Sequence, residues 1–121
     1  IDGDGSCLMH MGALAILGCS GTTNIKYFLL NNGVHDSVGG QATVGFKINF
    51  CDIAKACNFG SAFRCENFEE LVSVMNSQEY NNSSCFVEVV IGVGESNDLK
   101  RPKETPIQNK NTFIQFIRGN S

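Results

Sequence analysis

Apolar positions fall in short blocks separated by breaks rich in glycine and asparagine. Leu8 to Leu17 is rich in Leu, Met and Ala and apolar on nearly every side, which predicts a buried helix ending near Gly18 and Gly21. Ile25 to Leu30, IKYFLL, suits a strand covered on both faces, and it stops abruptly at Asn31 and Asn32. From Gly33 to Lys47 no period holds and glycine recurs at 33, 39, 40 and 45, so this stretch reads as a long loop, a length that in compact domains is usually functional or disordered. Asp52 is placed to cap a short helix through Asn58, and Ala62 to Arg64 suits a short strand. Asn67 with Glu70 makes a capping-box-like start to a helix reaching Met75, and Cys85 to Ile91, CFVEVVI, reads as the last strand. A polar segment, Gly92 to Lys110, then leads to an amphipathic helix over Thr112 to Arg118 that can turn Phe113, Phe116 and Ile117 inward.

Strands alternating with helices predict an α/β fold, a parallel sheet flanked by helices with right-handed crossovers. Ligands bind such sheets at the carboxyl ends of the strands, which is where Asp4 and Asn32 fall. With 121 residues the chain has the size of one domain, and 42% apolar against 17% charged residues is an ordinary globular composition.

A formal net charge of −3 removes the electrostatic case for a nucleic-acid or anionic-membrane partner, and the basic run Lys100, Arg101, Lys103 reads as a solvated loop. No stretch has the length and apolarity of a membrane span, and no basic start precedes an apolar segment, so the expected location is the cytoplasm. The six cysteines, without any Cys-x-x-Cys pair, read as buried free thiols and not as a zinc or iron–sulfur site. His10, inside the first apolar block, reads as a structural histidine; Met9 and Met11 read as core or near-core, and Phe28, Phe50 and Phe59 as core.

The opening, IDGDGSCLM, is the first candidate for chemistry. Asp2, Asp4 and Ser6 alternate like the first ligands of a calcium loop, but the sixth position is Cys7 where glycine is needed and the twelfth is Ala13 where a bidentate glutamate is needed. A dinucleotide fingerprint fails because Leu8 stands where its third glycine belongs, and no Gly-Lys-Ser or Gly-Lys-Thr is present. What remains is Gly3-Asp4-Gly5-Ser6 between a strand and a helix, where glycine permits close backbone approach, the helix start favours an anion, and Asp4 can hold magnesium against that anion. Asn32 lies 28 residues beyond Asp4, one helix and one return strand away, which brings both side chains to the same sheet edge.

Gly-Asp-Gly followed at this distance by Asn-Asn resembles the cofactor motif of thiamine diphosphate-dependent enzymes. The resemblance implies magnesium held by Asp4, Asn32 and the backbone carbonyl of Val34, with Gly3, Gly5 and Ser6 seating the diphosphate of the cofactor. The stretch Asn31 to Thr43, NNGVHDSVGGQAT, together with DIAKACNFG and DLKRPKETPIQNKNTF, is similar to the phosphonopyruvate decarboxylases and their relatives the sulfopyruvate decarboxylases, with Ala42 standing where proline is expected. The implied reaction is the decarboxylation of 3-phosphonopyruvate to phosphonoacetaldehyde; sulfopyruvate or another 2-oxo acid is the alternative substrate, and a non-catalytic diphosphate-binding or scaffold domain the alternative of another class. His35, Ser37, Gln41 and Thr43 are the loop residues placed to meet cofactor or substrate, and each has a second reading as a brace within the loop; His35 is the one candidate for a catalytic contact.

In this family the cofactor lies between two domains, and a glutamate that promotes formation of the reactive species comes from the pyrimidine-binding domain. No residue here matches that glutamate. The resemblance therefore implies that residues 1–121 are the C-terminal part of a diphosphate-binding domain, incomplete on its N-terminal side, which works with a pyrimidine-binding domain or subunit in a homo-oligomer, at least a dimer.

Overall fold

The computed structural model describes residues 1–94 and 102–119. A parallel sheet forms the centre: β1 (Asp2–Gly3), β2 (Lys26–Asn31), β6 (Cys85–Val90) and β5 (Ser61–Cys65) lie side by side in that order, so β6 enters between its sequence predecessors. Register is set by six residue pairs between β2 and β6, from Lys26 opposite Cys85 to Asn31 opposite Val90. Because all strands run the same way, every carboxyl end reaches one edge.

Each face of the sheet buries its own cluster. On one side Leu29 and Phe86 pack with Cys7 of α1 (Asp4–Met9), Leu14 of α2 (Gly12–Gly18), Phe50, Cys51 and Ala54 of α3 (Phe50–Ala56), and with Phe59. On the other, Cys65, Cys85 and Val87 pack with Leu71 and Val74 of α4 (Phe68–Met75) and Tyr80 of α5 (Gln78–Asn82). Alternation along each strand makes this division: Phe86 and Glu88 share one face, Val87 the other. Tyr27 stacks on Phe86 with ring centroids 5.3 Å apart, and Phe59 closes on both edge-on.

The expected α/β architecture and both long strands are present, and Asn67 caps α4 by accepting from the Glu70 N–H at 2.9 Å. Several local expectations need correction. The single helix over Leu8 to Leu17 is two helices, starting already at Asp4 and broken at His10 and Met11 ahead of Gly12. It is not buried all round, since Met9 is 69% and Ile16 75% exposed, and His10 lies exposed at the break instead of within a core helix. Met11 does pack against the core.

The cap of α3 is Asn49, which accepts from the Asp52 N–H at 3.1 Å while Asp52 Oδ2 accepts from the Asn49 side chain, so the expected cap is its partner three residues on. The stretch from Gly33 contains a small hairpin, β3 (Val34–His35) against β4 (Gln41–Ala42), joined through a 3₁₀ turn over Asp36–Val38. Helix α5 was not anticipated. The terminal helix, α6 (Pro106–Gly119), starts six residues before the expected Thr112, and Phe113 and Phe116 stay largely exposed, not turned inward. Cys7, Cys51, Cys65 and Cys85 are buried free thiols, whereas Cys57 is half-buried and Cys19 exposed. The basic run, apart from Lys103, and part of the polar segment before α6 lie outside the described residues. No helix among the described residues is long and apolar enough to cross a membrane.

Candidate functional site

At the carboxyl edge a cavity of about 350 Å³ opens between the ends of β1, β2 and β6. It is lined by Gly3, Asp4, Gly5 and Ser6 from the β1–α1 junction, by Leu30 of β2 and Asn32 just beyond its end, by Val34 to Ser37 from the hairpin, and by Ile91. Residues 28 positions apart in the chain meet because β1 and β2 are parallel neighbours, with Gly3 opposite Leu30. Of the residues singled out in the sequence, Gly3, Asp4, Gly5, Ser6, Asn32, Val34, His35 and Ser37 share this cavity. Gln41 does not: it is exposed in β4, paired with His35 across the hairpin.

Asp4, the first residue of α1, is 1% exposed although the Gly3 cap offers it no side-chain partner. The Thr43 hydroxyl donates to its Oδ2, and Thr43 Oγ1 in turn accepts from the Gly45 N–H at 3.0 Å. Thr43 thus braces the carboxylate from behind without lining the cavity. Gly45 has no room for a side chain: a Cβ there would lie 2.6 Å from both Asp4 Oδ2 and Asn31 Oδ1.

The two asparagines divide the work. Asn31, fully buried, donates from Nδ2 to Gly45 O at 3.0 Å and to Glu88 Oε1 at 2.7 Å, while its Oδ1 accepts from the Gly33 N–H. Asn32 lines the cavity; its Oδ1 accepts from the Val34 N–H at 3.1 Å and its Nδ2 donates to Asp36 Oδ2 at 3.1 Å. Asp36 Oδ2 also accepts from Gly94 N–H, tying the turn to the segment after β6. Donation to Asp36 fixes which way the Asn32 amide faces, so its oxygen keeps a lone pair beyond the Val34 contact. Gly33, at φ +72°, makes the turn that presents Val34.

His35 lies directly over Gly5, where a Cβ would come within 2.3 Å of the imidazole Nδ1. The close approach that the second glycine of the opening motif permits is therefore, on this side, an approach by His35. Asp2 is not part of the lining: Tyr27 donates to its Oδ2 at 2.8 Å and its Oδ1 accepts from the Gly3 N–H. Burial pushes the Asp2 carboxyl up, but hydrogen bonds from Ser6, Tyr27 and Gly3 outweigh it and hold the group below its ordinary range. Burial, then the bond to Asp2, push the Tyr27 hydroxyl well above its ordinary value.

Sequence reasoning missed three groups around this cavity. Asp36 follows Asn32 by four residues and gave no periodic signal. Asn31 stood beside a stronger candidate. Glu88, a carboxylate in the middle of the apolar run CFVEVVI, was visible and unexplained. Beside Glu88, burial first and the Glu88 carboxylate second push the Cys51 thiol from 9.0 to about 11. Among the described residues no group of three or more His, Cys, Asp or Glu side chains could hold a metal. Any cation here would depend on the mixed set of the cavity: one carboxylate, one amide and one carbonyl oxygen, hard donors of the kind magnesium takes.

Comparison with known proteins gives the same region weight. The family model described as "Thiamine pyrophosphate enzyme, C-terminal TPP binding domain" matches residues 1–89. The phosphonopyruvate decarboxylase of Streptomyces viridochromogenes is 33% identical over 97% of this chain, and that of Streptomyces hygroscopicus 31% over 96%. The sulfopyruvate decarboxylase subunit beta of Methanococcus maripaludis is 32% identical over 98% of the chain. The chain spans 30% and 29% of the length of the two Streptomyces relatives, and 63% of the Methanococcus subunit.

Proposed function

The chain belongs to the thiamine pyrophosphate (thiamine diphosphate) enzymes, with residues 1–89 in their C-terminal cofactor-binding domain, and from this we propose that it supplies the diphosphate and magnesium half of an active site that decarboxylates 3-phosphonopyruvate to phosphonoacetaldehyde and carbon dioxide. The observation that carries the reading is the single cavity in which Asp4, Asn32 and Val34 meet Gly3, Gly5 and Ser6. Asp4 would offer magnesium a carboxylate oxygen, Asn32 its amide oxygen and Val34 its carbonyl, hard oxygen donors of the kind this ion takes. Gly3, Gly5 and Ser6 border the same space; Gly5 and Ser6 seat the diphosphate through their backbone N–H groups, and Gly3, whose N–H is given to Asp2, leaves room for it.

Thiamine diphosphate, when bound, supplies the electron sink that a 2-oxo acid needs in order to lose carbon dioxide. This chain's residues bind and orient. Thr43 holds Asp4 in place and Asp36 holds the Asn32 amide. His35 and Ser37, both on the cavity wall, offer a donor and a hydroxyl to a phosphonate group entering beside the metal. A pyrimidine-binding domain or subunit supplies the remaining half, including the glutamate that has no counterpart here.

Sulfopyruvate is the second reading, favoured by the match of the Methanococcus subunit over nearly all of this chain. The complete enzyme, given each 2-oxo acid with thiamine diphosphate and magnesium, is expected to release phosphonoacetaldehyde with a kcat/KM at least about tenfold above that for sulfopyruvate. The reverse preference would overturn the substrate assignment while leaving the cofactor site intact.

A further inference from the structure

Glu88 stands at the middle of β6, a strand flanked on both sides by β2 and β5, and is 0% exposed. A buried carboxylate is tolerated where its partners are complete. Here they are not. Oε1 accepts from Asn31 Nδ2 at 2.7 Å and from Arg64 Nη1 at 3.2 Å, but Oε2 is buried with no hydrogen-bond partner among the described residues. Arg64 itself keeps 40% of its side chain exposed and shares its charge with Glu66. An apolar side chain of similar volume would pack beside Phe86 without stranding an oxygen, so stability alone does not account for an acid at this position.

The bonds leading away from Oε1 do account for it. Asn31 passes from Glu88 to the carbonyl of Gly45; Gly45 N–H reaches Thr43 Oγ1; and the Thr43 hydroxyl ends on Asp4. Asn31 Oδ1 meanwhile holds the Gly33 N–H, one residue from Asn32 and one from Val34. Arg64 is paired with Glu88 across the sheet and Leu29 with Glu88 on the other side, so Asn31, Glu88 and Arg64 share one face. A continuous line of hydrogen bonds therefore crosses the sheet from the exposed Arg64 to the cavity carboxylate.

We propose that Glu88 is a positioning residue for the magnesium site: by holding the Asn31 amide it fixes both the Asn32–Gly33–Val34 turn and, through Gly45 and Thr43, the carboxylate of Asp4. This rests on the reading of the cavity as a magnesium and diphosphate site. Removing the acceptor frees the Asn31 amide and with it both halves of the ligand set, although Glu88 touches neither cofactor nor metal.

The test is magnesium titration of the complete enzyme in the presence of thiamine diphosphate, with cofactor uptake followed by calorimetry and the melting temperature measured alongside. Glu88→Leu and Glu88→Met are expected to melt near the wild-type temperature while the magnesium dissociation constant rises about tenfold or more, and Glu88→Gln, which keeps an acceptor for Asn31, to stay within about threefold of wild type. Apolar variants that fold and bind magnesium as tightly as wild type overturn the proposal alone. So do apolar variants that fail to fold, because Glu88 would then be a requirement of the sheet. Wild-type protein without magnesium-dependent uptake overturns the functional reading and this proposal together.

Discussion

At Asp4 one carboxylate oxygen is already taken by the Thr43 hydroxyl, so its direction is set before any ligand arrives. The same economy governs Gly45, whose missing side chain lets Asn31 and Asp4 approach one backbone position. Gly45→Ala is expected to destabilise the protein by about 1–3 kcal/mol, as overpacking does, and to weaken magnesium-dependent cofactor binding. Urea unfolding and calorimetry on the same variant check both effects, and an unchanged variant would contradict the packing at Gly45. A second residue-scale expectation follows from Cys51. Its thiol holds its proton up to about 11 in the folded chain against 9.0 ordinarily, so the unfolded form releases a proton first. The stabilising contribution is complete below pH 9 and is lost as pH rises through 11. Urea unfolding at intervals across that window should show a smaller decline in Cys51→Ala than in wild type; equal declines would show that Cys51 titrates alike in both states. At this scale the sequence disclosed Asp4 and Asn32, which line one cavity, because the chemistry proposed for them restricts the residue types. It hid Asp36 and Asn31, whose roles depend on which atom each one faces.

Helix starts show why some elements could be read and others not. Asn67 with Glu70 and Asn49 with Asp52 use the same geometry, an amide accepting the N–H three residues on. The pattern at Asn67 and Glu70 is capping-box-like and legible as such, whereas at Asn49 the acid three residues on, Asp52, is the more conspicuous cap in the sequence although the amide does the accepting. Asn67→Ala is expected to lower stability by about 1 kcal/mol, measured by urea unfolding, and no change would mean that α4 is held by its packing on Cys65 and Val87 alone. The break between α1 and α2 was marked only by Gly12, a signal that composition outweighed. The terminal helix fared differently. Amphipathicity identifies an apolar face but not what covers it, and Phe113 and Phe116 remain 63% and 64% exposed. The hairpin β3–β4 left no periodic trace because each strand is two residues long.

For the whole molecule, parallel order makes the site. The chain places β1 and β2 side by side and brings β6 in on the other flank, so Asp4, Asn32 and Ile91 reach one edge from three distant points in the sequence. This much was legible, because the spacing from Asp4 to Asn32 is the length of one crossover. The cross-sheet line through Glu88 was not, since nothing in the sequence states which strands are neighbours. The proposed division of the active site leads to a further expectation: residues 1–121 by themselves give no decarboxylation of 3-phosphonopyruvate, and turnover without a pyrimidine-binding domain or subunit would refute that division.

The most direct test is a calorimetric titration of thiamine diphosphate into the complete enzyme with and without magnesium, for wild type and for Asn32→Ala. The account predicts saturable binding by wild type that depends on magnesium and is abolished in Asn32→Ala. Binding of equal strength in the two proteins, or binding indifferent to magnesium, would contradict it.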